Sequence, residues 1–149
     1  MTEEANAPRR SRRILVLCTG NSCRSQMAEA WLNRLGRGKI EAFSAGSRPA
    51  GYVHPLAVRV MAESGVDISG HRSKPINDFL GQAFDDVITV CDDAAESCPV
   101  FPGKGVRVHW GFEDPALAEG DEQEQLQVFR RVRDDLRQRV EVFLADTGN

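Results

Sequence analysis

Residues 18–25 read CTGNSCRS: a cysteine, five residues, an arginine and a serine. The apolar run Ile14–Cys18 leads into this segment, and a helical pattern of apolar residues that stops at Gly36 follows it. Small residues between a strand and a helix let the backbone curl, so that successive N–H groups point into one concavity. The positive end of the helix dipole lies at the same place. The segment therefore predicts a strand–loop–helix unit whose loop binds a tetrahedral anion.

Several side chains of this loop have a predicted chemical role. The field of the loop favours the thiolate form of Cys18, which is the candidate nucleophile. Arg24 can close the loop around an anion with a planar, two-pronged guanidinium, and Ser25 is placed to donate a hydrogen bond to the Cys18 sulfur. The left-handed backbone that such a loop needs is tolerated by Asn21. The predicted substrate-binding residues are Thr19, Gly20, Asn21, Ser22, Cys23 and Arg24.

The remaining apolar patterns alternate between strands and helices. Strands are predicted at 14–18, 40–44, 86–91 and 106–110, and helices at 27–35, at 55–64 and along a stretch from Leu126 to Phe143. This alternation predicts an α/β fold, a three-layer α/β/α sandwich with a four-stranded parallel sheet. We expect a flexible N-terminal arm over residues 1–11 and a single domain over residues 12–149. Ligands of such sheets bind outside the carboxyl ends of the strands, where Cys18 and Cys91 both fall.

The composition excludes several classes of protein. Of the 149 residues, 41% are hydrophobic and 28% are charged, as in ordinary globular domains, and the net charge of −3 argues against nucleic acid as a partner. No apolar stretch reaches the length of a membrane span, and the run after the arginine-rich N-terminus is too short for a signal peptide. We therefore expect a cytoplasmic monomer without membrane contact. In that compartment cysteines are buried hydrophobes, metal ligands or redox groups.

Longer motifs carry a resemblance to a known family. They are CTGNSCRSQMAEA at 18–30, SAG at 44–46, DISGH at 67–71, VCDD at 90–93, CP at 98–99 and HWGFEDP at 109–115. Together they resemble the low-molecular-weight tyrosine phosphatases and, more closely, the thioredoxin-coupled arsenate reductases built on that fold. The resemblance extends over about residues 13–144. It implies a low-molecular-weight phosphatase-like fold, arsenate as substrate with phosphate or sulfate as mimics, and thioredoxin as electron donor.

The resemblance also implies a relay of three cysteines. In it Cys18 attacks arsenate, Cys91 attacks the Cys18 sulfur and releases arsenite, and Cys98 then attacks Cys91 to free Cys18. Since a disulfide needs Cα atoms within about 7 Å, we expect the 92–98 segment to move during turnover. Two alternatives remain for Cys91 and Cys98, namely a pair of buried hydrophobes or a zinc site. Six residues separate them, more than is usual between neighbouring zinc ligands.

One aspartate is the candidate general acid. In the resembled family the aspartate of an Asp-Pro pair protonates the leaving oxygen, which implies this role for Asp114. Pro115 restricts the backbone of the preceding residue and would aim the carboxyl group reproducibly. A carboxylate that only caps the loop is the alternative, and Glu113 is the less favoured acid.

We expect no cofactor and no metal ion. Some arsenate reductases hold potassium with an asparagine, a glutamate, a serine and an aspartate. Asn21, Glu29 and Ser44 match this set, but Lys74 stands at the position of the aspartate. An ammonium there would replace the cation, so we predict a Glu29–Lys74 ion pair and no potassium requirement. Solvated surface charges are the alternative.

The predicted function is thioredoxin-dependent reduction of arsenate in arsenic detoxification, with weak phosphatase side activity. A tyrosine phosphatase is the alternative function, since it would use Cys18, Arg24 and Asp114 as well. Phosphatases of this fold usually carry tyrosine after the Asp-Pro pair, where this chain has Ala116, and they do not need the later cysteines. A thiol-based sensor would need an output surface, and the sequence contains no recognisable one.

Overall fold

The computed structural model describes residues 11–92 and 98–147. Ten residues of the predicted N-terminal arm and five residues of the segment predicted to move (93–97) lie outside the described residues. The strands are β1 (Arg12–Cys18), β2 (Ile40–Gly46), β3 (Asp86–Thr89) and β4 (Val106–His109). The helices are α1 (Arg24–Gly36), α2 (Pro55–Glu63) and α3 (Glu122–Thr147), with 3-10 helices at Ile76–Phe79 and Pro115–Leu117.

The four strands form one parallel sheet in the order β2-β1-β3-β4. Cys18 pairs with Gly46, Leu17 with Thr89, and Thr89 with His109. Because all strands run the same way, their carboxyl ends meet at one edge of the sheet. The predicted parallel α/β fold is therefore confirmed, and it brings Cys18 near the end of β3, from which the chain continues to Cys91.

The central strand is buried on both faces, as its continuous apolar run predicts. Ile14 and Val16 pack on one face with the three helices, and Leu15 and Leu17 pack on the other. The outer layer on that second face is thin. It consists of the Ile76–Phe79 helix and a cluster of aromatic rings contributed by Phe43, Phe79, Phe84 and Phe101.

Some element ends differ from the sequence prediction. β3 ends at Thr89 rather than at residue 91, although Val90 N–H still donates to the Leu17 carbonyl over 3.0 Å. β4 ends at His109, one residue early, although Trp110 N–H donates to Thr89 O over 2.7 Å. The 3-10 helices were not predicted, because elements of three or four residues carry no readable periodicity.

Gly46 allows the loop after β1 to lie against the end of β2. A Cβ at this position would collide with the Thr19 carbonyl oxygen and would lie 3.0 Å from Asn21 N. We expect Gly46→Ala to lower the free energy of unfolding by about 1–3 kcal/mol through overpacking, measured by urea denaturation. The matched control is Gly70→Ala, whose Cβ would meet nothing within 4 Å. Equal stability of the two variants would contradict this packing argument.

An ion cluster joins α2 to α3. Glu63 accepts from Arg130 over 2.8 Å and from Arg133 over 2.9 Å, and the Arg130 hydrogen bond is the main cause that lowers the pKa of Glu63 to about 2. A carboxylate whose pKa is lower in the folded state stabilises the protein above its unfolded pKa, and this contribution disappears as the pH falls through the folded pKa.

We therefore expect wild type to be more stable than Glu63→Gln at pH 7, by less than about 1 kcal/mol per ion pair because the pairs are partly exposed. The difference should shrink as the pH falls from 4.5 towards about 2 in urea titrations. Glu119→Gln, at an exposed carboxylate outside the cluster, serves as the control. A difference that stays constant over this range would contradict the assignment.

Candidate active site

The loop between β1 and α1 is held by the chain that follows β2. Four of its carbonyl groups accept main-chain hydrogen bonds from segment 47–54, at distances between 2.8 and 3.3 Å. The donor–acceptor pairs are Ser47 to Cys18, Arg48 to Thr19, Ala50 to Gly20 and His54 to Ser22. These hydrogen bonds fix the direction in which the four carbonyl groups point and hold the loop against segment 47–54. Sequence reasoning missed segment 47–54, because its contribution is made by the main chain.

Cys18 lies at the floor of this loop and is a free thiol. Its residue is only 2% exposed, and its Sγ lies 3.2 Å from Ser25 Oγ and 3.4 Å from Asn21 N. Ser25 Oγ already accepts from Asn21 Nδ2 over 2.8 Å, so the hydroxyl proton is available to the sulfur. Two hydrogen-bond donors, the Ser25 hydroxyl and the Asn21 N–H, thus face the Cys18 sulfur.

The side chain of Asn21 organises the inside of the loop. Asn21 has a left-handed backbone, with φ of 49°. Its Oδ1 accepts from Lys74 N over 2.8 Å and from Gln26 Nε2 over 2.9 Å, while its Nδ2 donates to Ser25. Since every polar atom of this amide has a partner, the loop conformation is fixed from within.

Arg24 and Asp114 meet across the loop. Arg24 is 2% exposed, donates to the Phe112 carbonyl over 3.1 Å and places one guanidinium nitrogen 3.5 Å from Asp114 Oδ2. Asp114 Oδ1 accepts from Ala116 N over 3.0 Å, so one oxygen caps the 3-10 helix and the other faces the loop. Asp114 thus makes the capping contact that the alternative interpretation expects. Its other carboxylate oxygen lies beside Arg24, at a position compatible with acid catalysis. Glu113 is paired with Arg131 at the surface.

Cys91 and Cys98 form a disulfide in this structure, with Cα atoms 5.9 Å apart. Cys91 is fully buried, whereas Cys98 is partly exposed. Because the two cysteines are bonded to each other, they are neither a pair of separate buried hydrophobes nor the ligands of a zinc ion in this structure. Within residues 11–92 and 98–147, no group of three or more His, Cys, Asp or Glu could hold a metal ion.

Cys23 has a different environment from Cys18. Burial raises the pKa of the Cys23 thiol to about 12, although the Ser22 hydroxyl opposes this shift. At neutral pH the residue is therefore a neutral side chain that packs in the core beside the loop.

Glu29 and Lys74 lie directly behind the loop. The Lys74 ammonium is 3.9 Å from Glu29 Oε1 and donates to the Arg72 carbonyl over 2.8 Å. The two side chains are only 16% and 14% exposed, so they are not solvated surface charges. Burial lowers the pKa of Lys74, and the charge of Glu29 opposes that shift. Glu29 Oε1 also accepts from Ser44 Oγ over 2.6 Å.

The described helices include none that is long and apolar enough to cross a membrane.

Several known proteins are similar to this chain. One relative at 50% identity is an arsenate reductase of Halalkalibacterium halodurans, aligned over 91% of this chain and 96% of its own length. An arsenate reductase of Bacillus subtilis is 46% identical with the same coverage. A solved structure described as an arsenate reductase in oxidized state covers 92% of this chain and 99% of its own, with a TM-score of 0.76 and 36% identity.

A thioredoxin-dependent arsenate reductase of Corynebacterium glutamicum covers 95% of this chain and 66% of its own, with a TM-score of 0.61 and 29% identity. The sequence profile of low molecular weight phosphotyrosine protein phosphatases matches residues 13–148, which include the loop, Asp114 and the disulfide. On these grounds the chain belongs to the low molecular weight phosphotyrosine protein phosphatase family.

Proposed function

We propose that this chain reduces arsenate to arsenite in arsenic detoxification, through Cys18 and a relay over Cys91 and Cys98 that thioredoxin regenerates. One observation carries the proposal: a reduced Cys18 in an anion loop coexists with a Cys91–Cys98 disulfide close to the same edge of the sheet. A phosphatase would need the loop but not the disulfide. Relatives at 46–50% identity are arsenate reductases.

The substrate is bound by the inward-facing N–H groups of residues 19–24 and by the Arg24 guanidinium. Arsenate, phosphate and sulfate share a tetrahedral shape and negative charge, so the latter two act as mimics. We expect Arg24 to exchange its contacts with Phe112 and Asp114 for a two-pronged contact with the oxyanion. This exchange would also open the way to Cys18, which is buried without it.

In the first step the Cys18 thiolate attacks arsenic. An S–As bond forms and an As–O bond breaks, and the departing oxygen takes a proton from Asp114 and leaves as water. Ser25 and Asn21 N–H hold the negative charge of the sulfur before the attack. The product is a thiol–arsenate adduct in which arsenic is still pentavalent.

In the second step the Cys91 thiolate attacks the Cys18 sulfur. An S–S bond forms, the S–As bond breaks, and its electron pair stays on arsenic, which leaves as arsenite. Cys98 then attacks Cys91, so that Cys18 returns as a thiolate and the Cys91–Cys98 disulfide remains. The described structure has the disulfide and the free thiol that this last step produces.

Thioredoxin closes the cycle by thiol–disulfide exchange. We infer that it attacks Cys98, because this sulfur belongs to the partly exposed residue whereas Cys91 is fully buried. The structural relative from Corynebacterium glutamicum, which is described as thioredoxin-dependent, supports this choice of donor. We further propose that the enzyme acts as a monomer in the cytoplasm. Weak phosphatase activity is expected, because phosphate fits the loop while Ala116 provides no aromatic contact for tyrosine.

The relay is tested by replacing each of its cysteines with serine. Arsenate, thioredoxin, thioredoxin reductase and NADPH are supplied, and NADPH loss and arsenite release are measured. None of Cys18→Ser, Cys91→Ser and Cys98→Ser should turn over. Cys98→Ser alone should release about one arsenite per protein and retain a Cys18–Cys91 disulfide, because only the last exchange is blocked.

Cys91→Ser is the matched control for that burst, since it lacks the attack that releases arsenite. Multiple turnover by Cys98→Ser would remove Cys98 from the mechanism, and a burst from Cys91→Ser would remove Cys91.

The acid is tested by comparing two neighbouring carboxylates. We expect Asp114→Asn to lower kcat by about 10²–10⁴-fold, because the leaving oxygen would depart without a proton. Glu113→Gln, in the adjacent residue that pairs with Arg131, should stay within about twofold of wild type. Steady-state kinetics with saturating thioredoxin measure both values, and a larger loss in Glu113→Gln would reverse the assignment.

A further inference from the structure

A largely buried ammonium group lies behind the catalytic loop, in contact with a carbonyl group of its own segment and with a carboxylate on α1. Lys74 Nζ donates to the Arg72 carbonyl over 2.8 Å and lies 3.9 Å from Glu29 Oε1 on α1. The same Glu29 oxygen accepts from Ser44 Oγ on β2. His71 Nδ1 lies 3.8 Å from the other Glu29 oxygen. Lys74 is thus paired with a carboxylate that is only 14% exposed.

This cluster is connected to the nucleophile by a short chain of contacts. The main-chain N–H of Lys74 donates to Asn21 Oδ1, Asn21 Nδ2 donates to Ser25 Oγ, and Ser25 Oγ lies 3.2 Å from Cys18 Sγ. Lys74 O in turn accepts from Gly46 N over 2.9 Å, which ties the residue to the end of β2. The main chain of Lys74 is therefore linked to Cys18 through two intermediate side chains, Asn21 and Ser25.

The groups around Lys74 do not fit a potassium ion. The ammonium lies beside the Glu29 carboxylate, where a cation would have to bind. Asn21 Oδ1 already accepts two N–H groups, and Ser44 directs its hydroxyl proton at Glu29.

We propose that Lys74 is a positioning residue that acts as an internal monovalent cation and compensates Glu29 behind the anion loop. Without the ammonium, the Glu29 carboxylate would add an unpaired negative charge close to a site that holds a thiolate and an anionic substrate. The loop is thereby made independent of potassium. The role in arsenate reduction rests on the proposed function, but the effects on Cys18 and on ion dependence do not.

The test uses four variants in a Cys91→Ser/Cys98→Ser background, in which only Cys18 and the inert Cys23 remain. Lys74→Met removes the charge and keeps the length of the side chain, and Glu29→Gln/Lys74→Met removes both charges. Lys74→Asp replaces the ammonium with an oxygen ligand. Lys39→Met, an exposed lysine just before the amino end of β2, is the matched control.

Three readouts are compared in KCl and in choline chloride at equal ionic strength. They are the pH profile of Cys18 alkylation by iodoacetamide, the Kd for inorganic phosphate, and Tm. In Lys74→Met we expect the alkylation midpoint to rise by about one pH unit and phosphate binding to weaken by about tenfold. Glu29→Gln/Lys74→Met should recover most of both changes, because the uncompensated carboxylate is gone.

Ion dependence gives the second half of the test. The parent protein and Lys39→Met should have the same Tm and the same midpoint in KCl and in choline chloride. Lys74→Asp should be stabilised by KCl and should move its midpoint back towards the parent value. Since Lys74→Asp places two carboxylates together and can fail to fold in choline chloride, folding restored by KCl also supports the proposal.

The proposal is overturned if Lys74→Met lowers Tm without moving the alkylation midpoint, because Lys74 would then be an ordinary structural ion pair. A potassium response of the parent protein, or no recovery in the double variant, would overturn it as well. Failure of wild type to reduce arsenate would remove the proposed function and leave these readouts intact.

Discussion

The candidate active site depends on the hydrogen-bond partners of the main-chain carbonyl groups in the loop between β1 and α1. Segment 47–54 donates main-chain hydrogen bonds to four of them and so fixes the direction in which these carbonyls point. A carbonyl that turned inward would repel an oxyanion and leave a buried donor unpaired. Gly46 allows this contact, since any larger residue would press on Thr19 and Asn21. The conformation of the loop around Cys18 thus depends on the backbone of a neighbouring segment.

The parallel sheet brings other candidate catalytic residues close to this loop. Strands that run the same way deliver Cys18 from β1 and the chain leading to Cys91 from β3 at a common edge. The pair Cys91–Cys98 is asymmetric, with one residue buried and the other partly exposed. In the proposed relay, this asymmetry would give a direction, from an enclosed nucleophile to a sulfur that a partner protein can reach. Arg24 and Asp114 meet at the same loop.

Long apolar patterns predicted their elements well. Three elements left a clear apolar pattern in the sequence, because each buries one or both of its faces. They are the strand β1 and the helices α1 and α3. The end of β3 was predicted two residues too far, because Val90 and Cys91 are as buried as the strand itself. The short helix at Pro115–Leu117 was missed, since one capping contact from Asp114 forms it.

The spacing of Cys18, Arg24 and Ser25 predicted the strand–loop–helix unit that the structure contains, because these residues interact within that single unit. The tertiary contacts of that unit could not be predicted in the same way. Segment 47–54, the facing of Arg24 and Asp114 and the near-complete burial of Cys18 all depend on residues distant in the chain. Local sequence encodes local geometry, whereas contacts across the fold arise only when the sheet aligns its strand ends.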